Sequence, residues 1–223
     1  MSETETLPAQ SDAAIPTPQH TLELRDLFFA ALNGLFIGIF APVIFQNIGS
    51  SLPVSRPVFA LILTVMCVLG VATGYVLSRL HPKIRFLFQL AKFGLIGTAN
   101  FVVDLGIFSL FVWMTGITEG PTIILFNVIS VSIAIINSYI WNKFWSFGER
   151  STDEAKIRKQ FFQFVAISVA GLIINTLVTY TVNEVGNVFD IEKTTWTVIA
   201  KASASVIVLV WNFVGYKFFV FKR

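Results

Sequence analysis

The sequence predicts an all-α, polytopic membrane protein with six transmembrane helices, and three observations carry that prediction. Hydrophobic residues make up 55% of the 223 and charged residues only 13%, whereas a soluble domain carries about 25% charged residues. Mean hydropathy is +0.74. Six apolar stretches approach the roughly 20 residues a helix needs to cross about 30 Å of hydrocarbon. Lysine and arginine gather in alternate loops, as the positive-inside rule requires of a chain that crosses repeatedly.

The same composition excludes several classes. The single cysteine, Cys67, sits inside an apolar run, and His20 and His81 lie outside the apolar segments. No disulfide framework, metal site or histidine-based catalytic centre is therefore expected, and no cofactor. The net charge of +3 and pI near 9.1 come from loops, so no nucleic-acid face is expected.

Taken in order, the chain opens on "MSETETLPAQSDAAIPTPQH", which is polar, acidic and proline-containing. A secretory signal starts basic and turns apolar, so residues 1–26 are read as a disordered cytoplasmic tail. Residues 27–85 form an N-terminal transmembrane hairpin, with spans Leu27–Phe45 and Val58–Leu80. Residues 86–223 hold four more spans: Phe88–Met114, Pro121–Trp141, Phe161–Val182 and Thr194–Val214. Pro57 and Pro121 stand where proline suits a first helical turn. "STDE" at Ser151–Glu154 reads as a capping box, predicting a short amphipathic helix that feeds the fifth span.

Orientation follows from the loops. Arg79, Lys83 and Arg85 follow span two; Arg150, Lys156, Arg158 and Lys159 follow span four; Lys217, Lys222 and Arg223 close the chain. The opposite loops hold Arg56 and Lys193. Both termini are expected in the cytoplasm.

Spans three–four and five–six then become two hairpins that start and end on one side. "KFGLIGTANFVVD" from Lys92 aligns without gaps on "QFVAISVAGLIIN" from Gln163, and "SYIWNKFWSF" aligns on "NFVGYKFFVF". Phe93 meets Phe164, Asp104 meets Asn175, Lys143 meets Lys217 and Phe147 meets Phe221. The pattern predicts a duplicated hairpin, a parallel repeat about an axis along the membrane normal.

These residues also carry a family resemblance. "KFGLIGTANFVVDLGIF", "NKFWSF" and "KASASVIVLVWNFVGYKFFVF" resemble the GtrA-like family of small membrane proteins over about residues 86–223. That family has four helices in two hairpins, with endings of the type Asn-Phe-x-x-Asn-Arg-aromatic-x-Phe. A similar four-helix unit anchors some polyprenyl-phosphate mannose synthases. The resemblance implies a polyprenyl-phosphate-linked sugar carrier as ligand, in decoration of cell-surface polysaccharide. It also implies roles for Lys201, Asn100 and Asn212, which fall on family positions. Lys143 stands where the family usually has arginine, and Ser138 where it usually has asparagine.

The residues point to candidates by themselves. An ionisable group inside a span costs about 2.5–3.5 kcal/mol on insertion scales and is a functional candidate by default. Asp104 lies roughly 18 Å beyond Lys92, near the midplane, and Lys201 roughly 10 Å below the outer start of its helix. The two are read either as a structural ion pair or as ligand groups. Span three aligns Gly97, Asn100 and Asp104 on one face; span six aligns Lys201, Ser205 and Asn212. The substrate-binding residues expected are Asn100, Asp104, Lys143, Lys201 and Asn212. Lys143 would meet a phosphate at the cytoplasmic interface, Lys201 in the outer half, with Asn100 and Asn212 as intermediate donors.

The reading that follows is a protein of the cytoplasmic membrane that binds polyprenyl phosphate, or its sugar-linked form, and moves it across the bilayer. Its rivals are a scaffold that positions a glycosyltransferase partner and a small-solute or ion carrier. No enzyme is expected, since the longest inner loop is too short for a glycosyltransferase domain. Membrane lipids surround it. The small-xxx-small patterns Gly34–Gly38 and Gly70–Gly74 allow close helix approach within the chain or across a homodimer.

Overall fold

The computed structural model describes residues 21–47, 54–117, 119–185 and 193–222. The expected tail lies outside them up to residue 20. Six helices follow in order: α1 (Leu24–Asn47), α2 (Arg56–Leu80), α3 (Leu87–Thr115), α4 (Pro121–Trp141), α5 (Glu154–Val185) and α6 (Lys193–Gly215). All six are long and apolar enough to cross a membrane. No strand occurs among the described residues.

Two expectations about boundaries change. Helix α1 begins at Leu24, so Leu24, Arg25 and Asp26 belong to the first helix and not to the tail. The short helix expected before span five does not form separately: α5 runs unbroken from Glu154 to Val185. Asp153 caps it, its Oδ1 accepting from the Ala155 amide at 2.9 Å and the Lys156 amide at 3.4 Å. No proline interrupts that stretch, so one capped helix propagates straight into the span.

Glycine decides how α1 reaches its neighbours. A Cβ at Gly34 would stand 2.7 Å from the Thr64 Cα, and one at Gly38 would collide with the Ala60 Cα. Both glycines therefore bring α1 against α2. A Cβ at Gly74 would meet the Ala91 Cβ at 2.6 Å, so Gly74 seats α2 on α3, while Gly70 faces open space. Lipid tails are as apolar as leucine, so close packing rather than burial from water holds such helices together.

The last four helices show the duplication in their backbones. Each hairpin ends in a π-helical turn, Asn142–Ser146 after α4 and Tyr216–Val220 after α6. The Phe147 amide donates to the Asn142 carbonyl at 2.9 Å, and the Phe221 amide to the Tyr216 carbonyl at 2.8 Å. The repeated ending is thus a repeated π-helical turn, and the phenylalanine that follows each one is buried.

Between the hairpins the rings pair reciprocally. Phe93 meets Phe213 at 5.6 Å and its mate Phe164 meets Tyr139 at 5.6 Å. Phe93–Phe147 is 6.4 Å and Phe164–Phe221 is 6.3 Å; Phe147–Phe213 and Tyr139–Phe221 are both 5.9 Å. Phe147 and Phe221, each the other's mate, stack at 5.0 Å. Such equal exchanged distances require a pseudo-two-fold axis passing between Phe147 and Phe221. Each ring pair adds about 0.5–1.5 kcal/mol beyond contact area, so this cluster is the main weld of the two hairpins.

Candidate functional site

Above the aromatic weld the hairpins part. A cavity of about 320 Å³ opens there, lined from all four helices and floored by Phe164 and Tyr216. Gly97, Asn100 and Asp104 reach it from α3, Ser138 from α4, Ser168 from α5 and Asn212 from α6. Three of the five predicted site residues, Asn100, Asp104 and Asn212, thus converge on one space.

Their hydrogen bonds leave capacity unused. Asn137 Nδ2 donates to Asn100 Oδ1 at 2.7 Å, while Asn100 Nδ2 is buried without a partner. Ser130 Oγ donates to Asp104 Oδ1 at 2.6 Å. Asn212 Oδ1 is buried without a partner and rests against Gly171, where a Cβ would stand 2.7 Å from that oxygen. Ser168 Oγ and the Tyr216 hydroxyl share a hydrogen bond of 2.6 Å. An unsatisfied buried amide costs about 1–3 kcal/mol. Orphan amide groups at a cavity wall are what a polar guest would satisfy.

Of the two predicted lysines, the one with a described side chain stands elsewhere. Lys143 does not line the cavity; it lies 2% exposed in the first π-helical turn, donating to the Ser151 carbonyl at 3.2 Å. Its ammonium sits 5.4 Å from the Phe144 ring, as that of its mate Lys217 sits 5.9 Å from Phe218. Lys217 is the more accessible of the pair and makes no ion pair among the described residues. The alignment of the two endings already held that signal. The Lys201 backbone lies within α6, but its side chain is outside the described residues, and so is its relation to Asp104.

The loop beyond Lys143 is tightly folded. Gly148 takes φ +62°, a left-handed conformation that suits glycine, and the chain reverses so that the Glu149 amide donates to the Lys143 carbonyl at 2.7 Å. Glu149 accepts from the Ser151 amide at 2.8 Å and from Lys156 Nζ at 3.2 Å. Burial alone would raise its carboxyl, but those bonds and the charges of Lys156 and Lys143 hold it below the ordinary carboxylate value.

One polar cluster was not legible beforehand. Asp26 of α1 is 1% exposed, and its Oδ1 accepts from Lys92 Nζ at 2.7 Å and from Trp145 Nε1 at 2.9 Å. The Glu23 amide donates to its other oxygen at 3.1 Å. With the boundary of span one drawn at Leu27, Asp26 read as a loop charge. The available signal was Lys92, a basic residue at the head of a repeat whose mate is neutral Gln163.

A helical membrane bundle with a duplicated hairpin, and a polar cavity on the seam between the copies, defines a multi-pass membrane protein. The chain belongs to the GtrA/DPMS transmembrane domain family, whose model matches residues 92–221, more than half of its length. The match begins at Lys92 and ends at Phe221, the two ends of the repeat, and leaves the N-terminal hairpin outside. Membership places the chain among membrane proteins linked to glycosylation. A curated relative, the uncharacterized membrane protein YngA of Bacillus subtilis (strain 168), is 25% identical over 142 residues, covering 64% of this chain and 83% of that protein. No solved structure matches the chain.

Proposed function

We propose that this protein binds polyprenyl phosphate, or a polyprenyl-phosphate-linked sugar, and moves it across the cytoplasmic membrane for cell-surface glycosylation, acting as a carrier and not as an enzyme. The observation that carries the reading is the seam cavity, where the orphan Asn100 Nδ2 and Asn212 Oδ1 stand with Asp104, Ser168 and Tyr216. A headgroup leaving water needs donors and acceptors along its path, because each unsatisfied polar group in hydrocarbon costs several kcal/mol. The seam supplies both kinds, and the lipid-facing outer surfaces leave room for an isoprenoid tail. Lys217 at the basic end and Lys201 in α6 are the cations proposed to meet the phosphate at either end of the path. With no nucleotide-binding motif in the chain, movement runs down a gradient.

The test uses Asn212→Leu and Lys201→Glu in the full chain. Asn212→Leu removes a buried oxygen that has no partner, so it should leave thermal stability unchanged or slightly raised while polyprenyl-phosphate binding falls at least tenfold. Lys201→Glu should abolish binding and glycosylation at normal expression. A scaffold that merely positions a glycosyltransferase would tolerate both. Full lipid binding by both variants overturns the carrier reading.

A further inference from the structure

We propose that Lys92 and Trp145 form a phosphate-binding site, separate from the seam cavity, that the Asp26 carboxylate of the N-terminal hairpin occupies at rest. Two donors from distant parts of the chain converge on one oxygen: Lys92 Nζ at 2.7 Å from α3, and Trp145 Nε1 at 2.9 Å from the first π-helical turn. Lys92 is 7% exposed and lies 4.0 Å over the Phe88 ring; Trp145 is 5% exposed. A cationic donor and a neutral N–H aimed at a shared point is the arrangement that recognises an anionic oxygen.

The division of parts along the chain supports the reading. Both donors lie within the family-matched residues 92–221, whereas the acceptor lies outside them. The carboxylates near Lys92 are Asp26 and Glu23, both supplied by the N-terminal segment. Glu23 is engaged elsewhere, with Arg25 at 2.8 Å. The family-matched residues thus supply the cation and the indole donor, and among the described residues the appended hairpin brings the anion. Stability alone does not account for this, because a buried ion pair is often no more stabilising than apolar residues of the same size.

The repeat provides an internal control. The mates of Lys92 and Trp145 are Gln163 and Phe219, and Phe219 is 67% exposed. The other hairpin has the same backbone and the same aromatic weld, yet neither donor. The donors are therefore not needed to build the hairpin. Beside Asp26 lies a further cavity of about 30 Å³, lined by Glu23, Gln89, Lys92 and Ser146 among others. That is room for one water (a cavity needs about 10–15 Å³ to hold one), so a phosphate enters only by displacing the carboxylate. The hairpin is thereby coupled to the ligand: phosphate at Lys92 releases the α1 end that Asp26 holds.

The site stands on its own geometry and rests on the carrier reading only for which lipid bears the phosphate. The test titrates purified full-length protein with inorganic phosphate and, separately, with farnesyl phosphate, following binding by calorimetry. Asp26→Asn should bind farnesyl phosphate at least tenfold more tightly than the native chain. Adding Lys92→Gln should remove that gain, and Trp145→Phe should reduce it several-fold. Glu23→Gln, which changes the charge equally but removes no hydrogen bond from either donor, should gain far less than Asp26→Asn. Should Asp26→Asn fail to fold, Asp26→Glu keeps the charge, misplaces the oxygen and should give a smaller gain. A gain with inorganic phosphate as well assigns the site to free phosphate as much as to lipid. No gain in either Asp26 variant, or a gain that survives Lys92→Gln, overturns the proposal. A Lys92-dependent gain in a protein that moves no polyprenyl phosphate leaves this site standing and sinks the transport reading alone.

Discussion

At the residue scale, polarity in an apolar span was the most reliable signal, and its reliability depended on depth. Asn100 and Asp104 stood well inside span three, so their polarity required a partner or a purpose, and both line the seam cavity, as does Asn212 three residues before the end of α6. Lys143 and Asp26 stood near ends, where sequence cannot separate a solvated charge from a buried one. Lys143 proved locked to Ser151, and Asp26 proved the acceptor of an inter-element pair. Glu149 yields a prediction at this scale. Its folded carboxyl is held below the ordinary value, so its contribution is present above the unfolded pKa of about 4.3 and disappears as pH falls through the folded value. Glu149→Gln should lose stability at pH 7 and show a flatter fall between about pH 5 and pH 3 than the native chain. Thermal unfolding in detergent across that range checks it, and parallel curves for the two proteins refute it.

At the element scale, the six helices were legible because hydrocarbon thickness imposes length and apolarity on every span. Helix α4 runs over Pro121–Trp141, as its proline start and polar end indicate. Caps and turns were harder. "STDE" contains two plausible caps, and only the folded loop, with Ser151 drawn toward Glu149, leaves Asp153 at the helix start. The π-helical endings repeat in sequence, but no composition rule separates a π-turn from an α-turn over five residues. Close glycine packing gives the prediction for this scale. Gly38→Leu drives a side chain into the Ala60 backbone, whereas Gly70→Leu enters open space. The first should cost about 1–3 kcal/mol or more, as overpacking does, and the second should be near neutral. Detergent melting of both variants decides it, and equal melting points would show that α1 and α2 do not pack through Gly38.

At the scale of the whole molecule, the pseudo-two-fold explains why a seam cavity exists. Two copies of one hairpin meet through their large rings at the basic end, where Phe147 and Phe221 sit on the axis. Deeper in, the mates are small or polar, Gly97 with Ser168 and Asn100 with Gly171, and the hairpins cannot fill the space between them. The N-terminal hairpin breaks the symmetry by docking on one copy. Charge asymmetry in the loops sets the direction of the whole assembly. In a chain with Cys67→Ala, a cysteine at Glu119, which is exposed, should label from outside the cell, and one at exposed Ala155 should not. The opposite pattern would invert the topology and place the lysine-rich end outside.

The sequence by itself determined the number of spans, their limits to within a few residues except at the start of the fifth, the duplication and the family. Each of these is a one-dimensional consequence of the bilayer or of a repeated string, and needs no knowledge of what touches what. Only the tertiary structure decided that Asn100, Asp104 and Asn212 share one cavity while Lys143 stands apart. It alone joined Asp26 to Lys92 and Trp145, across 66 and 119 residues of chain. Such pairings depend on which helix faces which, and in a membrane that choice is made by small differences in packing, such as the glycines that let α1 approach, rather than by hydrophobicity, which every face of every helix shares.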